Sequence, residues 1–217
     1  METKIKIFVV DDHPIVIKGL KWLLECEDDF MVCGSANDPH QAKISIEQTR
    51  PDIIITDISL QNLSGLELTK ELHVKYPTLP ILIFSMHEEM TYVERALLAG
   101  ARGYINKSNI DGCIVKAIRK ILDGKIFLSE EMNSLLLQKR FTNNHQNTHN
   151  PIEVLSDREL EVFRLLGQGF TTKKIAESLF LSESTIGTYK ANIKRKLHIK
   201  NQVELIHRAT SEKNYKQ

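Results

Sequence analysis

The sequence lacks any long apolar run. None of its 217 residues lies in a stretch approaching the roughly 20 consecutive apolar residues that a membrane helix needs. The longest apolar runs, at 53–55 and 81–84, have the length of buried strands. The first residues lead directly into a strand pattern and do not have the layout of a signal peptide. These absences predict a protein without membrane association that is located in the cytoplasm.

Cysteine and net charge are also scarce. The three cysteines, Cys26, Cys33 and Cys113, are odd in number and lack the spacing of metal ligands, which favours plain packing among their apolar neighbours. The net charge is only +1, but residues 1–128 carry −3 and residues 152–217 carry +4. This asymmetry predicts that only the C-terminal part of the chain faces a polyanion.

Residues 1–128 alternate short apolar runs with helical patterns. The strand candidates are residues 5–10, 30–34, 53–57, 81–85 and 103–105. Several are nearly continuous runs of Val, Ile and Leu, which is typical of parallel strands covered on both faces. Five βα units in succession predict an α/β fold with a doubly wound, parallel, five-stranded sheet. Ligands of such sheets bind outside the carboxyl ends of the strands.

The rest of the chain divides into a linker and a helical domain. Residues 129–151 are predicted to form a linker with a possible short helix, because a leucine run at 135–137 precedes a polar tract at 141–151. Residues 152–217 show only helical patterns. A capping box at Ser156 and a capping serine at Ser182 mark two of four short helices, which predicts a small all-α domain with tight turns.

Three aspartates follow strands of the predicted sheet. Asp11 and Asp12 come directly after the first strand, and Asp57 ends the third. Because the ends of these strands meet at one rim, the three carboxylates should lie together and should raise each other's pKa unless a cation neutralises them. Mg²⁺ is the natural cation, since it is a hard ion that takes a few carboxylates and keeps several waters.

A hydroxyl and an ammonium group complete the constellation. Ser85 ends the fourth strand, and Lys107 follows the fifth. Together with a metal ion they could surround a phosphoryl group, with Lys107 offsetting its charge and Ser85 donating a hydrogen bond. Asp57 would then be the nucleophile that forms an acyl phosphate.

These motifs resemble the receiver domain of two-component response regulators. The resemblance rests on Val-Val-Asp-Asp-His-Pro at 9–14, the strand ending at Asp57, Phe84-Ser85, and Gly-Tyr-Ile-Asn-Lys at 103–107. It implies a sensor histidine kinase as phosphoryl donor and a Mg²⁺ ion held by Asp11, Asp12, Asp57 and the backbone carbonyl of Ser59. It also implies that Tyr104 is a switch residue, which turns inward as Ser85 moves toward the phosphate.

The sequence departs from the receiver pattern after the acceptor. Leu60-Gln61 stands where the family often has Met-Pro, and the loss of the fixed proline φ should loosen this loop. The family further implies that Ser59 and His87, each two residues beyond a site residue, tune the lifetime of the phosphoryl group.

A second resemblance lies in the C-terminal domain. The helix after Ser182 has a buried stripe of Ile186, Ile193 and Leu197 opposite a polar, mildly basic face, which suits the major groove of DNA. Its sequence and that of the preceding helix resemble the LuxR-type helix-turn-helix, and the combination with a receiver is the NarL/FixJ class. The family places Thr185, Gly187, Thr188 and Ala191 toward bases and Lys190, Lys194 and Arg195 toward phosphates. Because Gly187 and Ala191 are short, direct readout is expected to rest on Thr188 and Asn192.

The sequence therefore predicts a transcriptional regulator, not an enzyme, that binds promoter DNA as a homodimer when phosphorylated. A regulator controlled by protein contacts without phosphorylation is the main alternative. A phosphatase of the haloacid dehalogenase class would carry a second aspartate where this chain has Ser59. A quorum sensor of the LuxR class would need a small-molecule domain in place of residues 1–128.

Overall fold

The structure, a computed structural model, describes residues 4–60, 63–87, 90–108, 113–142 and 151–214. The chain divides into two compact units, Met1–His145 and Gln146–Gln217. Most of the polar tract predicted as a linker, residues 143–150, lies outside the described residues. No helix within the described ranges is both long and apolar enough to cross a membrane.

The first unit is built on a parallel sheet with strand order β2-β1-β3-β4-β5. Its strands are β1 (Ile5–Val10), β2 (Phe30–Ala36), β3 (Ile53–Thr56), β4 (Ile81–Ser85) and β5 (Gly103–Asn106). The helices are α1 (Pro14–Leu24), α2 (Pro39–Thr49), α3 (Gly65–Lys75), α4 (Met90–Leu98), α5 (Cys113–Leu122) and α6 (Glu130–Thr142). The predicted doubly wound, five-stranded fold is confirmed.

Burial on both faces of the sheet explains the unbroken apolar runs. Ile53, Ile54 and Ile55 in β3 are all inaccessible to solvent, although successive side chains of a strand point to opposite faces. One face packs against α1 and α5 through residues such as Leu20 and Ile118. The cysteines differ from the expectation of core packing, because Cys26 is exposed and the other two are only half-buried.

The start of α3 is held closely against the end of β3, whereas residues 61–62, on which part of the predicted loosening falls, lie outside the described residues. Ser64 and Glu67 form a capping box at the start of α3. The N–H of Gly65 donates to the carbonyl of Ile58 at 2.7 Å, and a Cβ at Gly65 would lie only 1.7 Å from the backbone oxygen of Asp57. Only glycine therefore fits where α3 begins against the end of β3.

The second unit contains a 3-10 turn (Pro151–Val154) followed by α7 (Asp157–Gly167), α8 (Thr172–Ser178), α9 (Glu183–Lys196) and α10 (Gln202–Asn214). This confirms the predicted four helices. Helix α8 begins at Thr172 because the Thr171 side chain caps it, accepting from the N–H of Lys174 at 3.2 Å. Ser156 and Ser182 cap α7 and α9 as the sequence indicates.

Candidate functional site

The three aspartates lie at the carboxyl edge of the sheet. Asp11 and Asp12 follow β1 and Asp57 follows β3, and these strands are neighbours in which Val10 pairs with Thr56. Ligand atoms of the three carboxylates and of His13 all lie within 4.8 Å of one another. His13 is not among the site residues predicted from the sequence, although its position directly after Asp12 indicates that it lies near them.

Lys107 joins two of the carboxylates. Its Nζ donates to Asp57 Oδ2 at 2.6 Å and to Asp11 Oδ2 at 2.7 Å, and its side chain is only 9% exposed. Burial alone would lower the pKa of Lys107, but the Asp57 and Asp11 carboxylates outweigh burial and raise it above its ordinary value. The lysine is therefore a fixed positive charge at the Asp57 carboxylate.

Asp12 is the carboxylate that Lys107 leaves uncompensated. Its Oδ1 is buried without a well-oriented hydrogen-bond partner, and Nδ1 of the exposed His13 lies 2.8 Å from it. Burial raises the pKa of Asp12, and the neighbouring Asp11 and Asp57 add to that effect while His13 opposes it. A buried acceptor oxygen of this kind among three carboxylates fits a hard divalent cation.

The oxygens of Asp57 are both held in place. The N–H of Ile58 donates to Oδ1 at 2.6 Å, and Lys107 occupies Oδ2. Asp57 is only 4% exposed, although it lies at the rim of the sheet. The Ser59 side chain, two residues further on, turns to His87, whose Nε2 lies 3.1 Å from Ser59 Oγ.

His87 connects the predicted switch residues. Its backbone N–H donates to Ser85 Oγ at 3.3 Å, and its carbonyl accepts from the Tyr104 hydroxyl at 2.7 Å. The His87 ring stacks on Tyr92 of α4 with 4.2 Å between centroids. Tyr104 is buried, which is the inward orientation that the receiver resemblance associates with Ser85 near the phosphate. A solvent-exposed His87, which the sequence left open, is not what the structure shows.

The predicted DNA-binding residues of α9 differ in accessibility. Gly187, Thr188, Ala191 and Arg195 are exposed on one face, opposite the buried Ile186 and Ile193. Thr185, Lys190, Asn192 and Lys194 are half-buried. The polar face predicted from the sequence is therefore present, with small side chains at its centre.

Some of these polar groups already have partners inside the second unit. Lys190 Nζ donates to Thr172 Oγ1 at 3.0 Å, and the Thr185 hydroxyl lies 2.8 Å from that of Ser182. Arg195 contacts Asn192 Oδ1 at 3.3 Å. A DNA contact by Lys190 or Thr185 would have to replace or share the hydrogen bond that each makes here.

Comparison with known proteins assigns both units. Residues 7–119 match the family described as response regulator receiver domain, and residues 153–209 match bacterial regulatory proteins of the luxR family. The oxygen regulatory protein NreC of Staphylococcus carnosus is 34% identical over 212 residues, covering 96% of this chain and 98% of its own. A nitrate/nitrite response regulator protein homolog of Haemophilus influenzae is 33% identical, with 94% and 95% covered.

Solved structures agree with this assignment. A structure of the RcsB response regulator of Salmonella typhimurium superimposes with a TM-score of 0.66 at 26% identity, covering 96% of this chain and 98% of that one. An RcsB–DNA complex has a TM-score of 0.58 at 26% identity, with the same coverage. The chain belongs to the response regulators that join a receiver domain to a LuxR-type helix-turn-helix domain. Proteins of this class regulate transcription downstream of a sensor histidine kinase and are not enzymes.

Proposed function

We propose that Asp57 is the phosphoryl acceptor of this regulator and that Asp11, Asp12 and Lys107 serve it directly. The observation that carries the proposal is the pair of contacts from Lys107 Nζ, at 2.6 Å to Asp57 and 2.7 Å to Asp11. One Asp57 oxygen attacks the phosphorus of a donor phosphohistidine, the P–N bond breaks, and an acyl phosphate forms. Lys107 offsets the added charge, and the Ser85 hydroxyl is available as a donor.

The metal that fits this pocket is Mg²⁺. Asp11, Asp12 and Asp57 would hold it together with the Ser59 carbonyl and water, and the buried Oδ1 of Asp12, which has no well-oriented hydrogen-bond partner, supports the fit. The ion, when bound, supplies charge compensation for the phosphoryl oxygens. The protein's own residues position the acceptor: the Ile58 N–H fixes Asp57 Oδ1, and Gly65 lets α3 approach the Asp57 backbone.

We propose that the protein acts in the cytoplasm and that helix α9 is its DNA-reading element. Thr185, Gly187, Thr188, Ala191 and Asn192 would face base edges, with Lys190, Lys194 and Arg195 at phosphates. Known structures include RcsB dimers bound to DNA, which supports a dimer here as well. A two-fold dimer would place two copies of α9 on half-sites about one helical turn apart. Because lysine and arginine displace counterions, binding should weaken as salt rises.

The test compares the wild type with Asp57→Asn after incubation with Mg²⁺ and acetyl phosphate. Intact mass spectrometry should show one added phosphoryl group on the wild type and none on the variant, and omission of Mg²⁺ should prevent the gain. Size-exclusion chromatography of the same samples should show a dimer only for the phosphorylated wild type.

A regulator controlled by contacts alone is the second candidate. Its basis in the structure is that Tyr104 is buried and that its hydroxyl donates to the His87 carbonyl, so protein groups alone hold the inward orientation. This candidate predicts that Asp57→Asn binds promoter DNA as tightly as wild type treated with acetyl phosphate. A gain in DNA affinity that requires both Asp57 and the phosphodonor would exclude it.

A further inference from the structure

A cavity lies beside the switch tyrosine in the first unit. It has a volume of about 250 Å³ and is lined by Tyr104, Cys113 and Phe127 on the sheet side and by Met132 and Leu135 of α6. A protein cavity of about 150 Å³ is enough to hold benzene. The space next to Tyr104 is therefore large enough for an aromatic ring.

A hydrogen bond joins Tyr104 to the site. Its hydroxyl donates to the His87 carbonyl at 2.7 Å, while the residue also lines the cavity. Tyrosine side chains occupy discrete staggered rotamers, so the ring changes orientation by a jump and not by a gradual tilt. A ring that leaves His87 would occupy the cavity that Met132 and Leu135 now cover.

Helix α6 is weakly docked over the cavity. None of its described side chains, residues 130–138, is fully buried; Met132 and Leu136 are half-buried, and Leu135 is 48% exposed. Ser129 caps its first turn by accepting from the N–H of Met132 at 3.1 Å. A segment with so few buried apolar contacts opens at low free-energy cost, so α6 can respond to a change beneath it.

We propose that α6 is a reversible cover for this cavity, whose docking excludes the outward orientation of Tyr104. With Tyr104 inward the cavity is empty and Met132 can lie over it; with Tyr104 outward the ring takes that space and α6 is displaced. By thermodynamic reciprocity, α6 docking then favours the inward tyrosine. The further step, that phosphorylation of Asp57 favours docked α6, rests on the proposed function.

The first test needs no phosphodonor. Tyr104→Phe removes the hydroxyl that donates to His87. The loss of this hydrogen bond should raise the fraction of molecules with the ring outward, and the rate of amide exchange in residues 130–138 should rise with it, about two- to tenfold. Tyr76→Phe is the matched control, since Tyr76 follows α3 at the other end of the sheet and does not line the cavity. Unchanged exchange of α6 in Tyr104→Phe would overturn the inference.

The second test changes α6 and measures the effect on phosphoryl uptake at the site. It remains informative if Tyr104→Phe destabilises the whole first unit. Met132→Ala removes the cover side chain, and Leu137→Ala alters an exposed side chain of the same helix that does not line the cavity. With Mg²⁺ and acetyl phosphate, Met132→Ala should take up the phosphoryl group several-fold more slowly than wild type, and Leu137→Ala at the wild-type rate.

The outcomes separate the two proposals. Equal uptake by wild type and Met132→Ala would refute the cover while leaving Asp57 as the acceptor. Absence of any mass gain in wild type would instead refute the proposed function, and the exchange comparison between Tyr104→Phe and Tyr76→Phe would still decide whether α6 responds to the tyrosine.

Discussion

Replacing Asp12 by asparagine should stabilise the first unit when no divalent cation is present. Asp12 has a side chain only 6% exposed, and it shares the pocket with two other carboxylates. Lys107 contacts those two at 2.6 and 2.7 Å and makes no such contact with Asp12. The change to asparagine keeps the shape of the side chain and removes the one carboxylate that Lys107 does not contact.

The magnitude follows from the distances. The ligand atoms lie within 4.8 Å of one another, and two like charges at that distance repel by about 3.5 kcal/mol at an effective dielectric constant of about 20. Lys107 offsets most of the field from Asp11 and Asp57, because it contacts both carboxylates. We therefore expect Asp12→Asn to gain about 1–2 kcal/mol, which corresponds to roughly 3–8 °C in the melting temperature of a unit of this size.

Magnesium should reverse the order of stability. A cation that binds only the folded state at ten times its Kd stabilises by about 1.4 kcal/mol, and at one hundred times its Kd by about 2.7 kcal/mol. Mg²⁺ should stabilise the wild type by this amount and should stabilise Asp12→Asn much less, because one of the three carboxylate ligands is gone. Calorimetry with and without Mg²⁺ measures both effects, and the fluorescence of Trp22 in α1, the only tryptophan, assigns the transition to the first unit.

Asp28→Asn is the matched control, since Asp28 is exposed and distant in sequence from the pocket. It should change the melting temperature little and leave the Mg²⁺ response intact. A metal-free Asp12→Asn protein that melts below wild type, or that gains as much from Mg²⁺, would refute the electrostatic account of the pocket.

Three other changes test the packing and charge of both units. Gly65→Ala should cost about 1–3 kcal/mol or more and slow phosphoryl uptake, because its Cβ would lie 1.7 Å from the Asp57 carbonyl oxygen; wild-type stability by urea unfolding would contradict this. Glu159→Gln should cost the second unit about 1 kcal/mol at pH 7 by losing the 2.6 Å ion pair with Lys196. Burial raises the pKa of Glu159, but the hydrogen bonds from Lys196 and Ser156 outweigh burial, so the pKa is lowered on balance. The stability from this ion pair is therefore present above about pH 4.5 and is lost as the pH falls through the folded-state pKa. A stability difference between wild type and Glu159→Gln that persists in acid would refute this account. Gly187→Ala, with open space around its Cβ, should stabilise the second unit by about 0.5–1 kcal/mol in urea unfolding, and a loss of stability would show that the exposed face is not open.

The strands could be predicted from the sequence where both faces are buried. β1 and β4 have the predicted ends, since their apolar runs give way to the polar residues of the site. β2 extends two residues beyond the prediction, to Ala36, and most of its residues are only partly buried, so the apolar pattern fades before the strand does. Helix α2 gave little signal because only Pro39, Ala42 and Ile46 are buried.

The sequence was sufficient to predict which groups of the site lie together, because parallel strands bring their carboxyl ends to one rim. The contacts between side chains could not be predicted. The stacking of His87 on Tyr92 and its contact with Ser59 depend on how the loop after β4 turns toward α4. Likewise, nothing in the pattern of α9 shows that Lys190 reaches Thr172 of the preceding helix. Side-chain reach across elements is a property of packing, which sequence periodicity does not encode.

The charge balance of the pocket also indicates why Asp57, as the proposed acceptor, would need a cation. Lys107 is the one ammonium group within 4 Å of the carboxylates among the described residues, against three aspartates, and a phosphoryl group on Asp57 would replace one negative charge with about two. Lys107 cannot keep its present position on Asp57 Oδ2 when that oxygen carries phosphorus, so it must follow the phosphoryl oxygens. Its contact with Asp11 would then weaken, which leaves Asp11 and Asp12 together in need of a positive charge. Phosphorylation and divalent metal binding should therefore be mutually dependent, each strengthening the other.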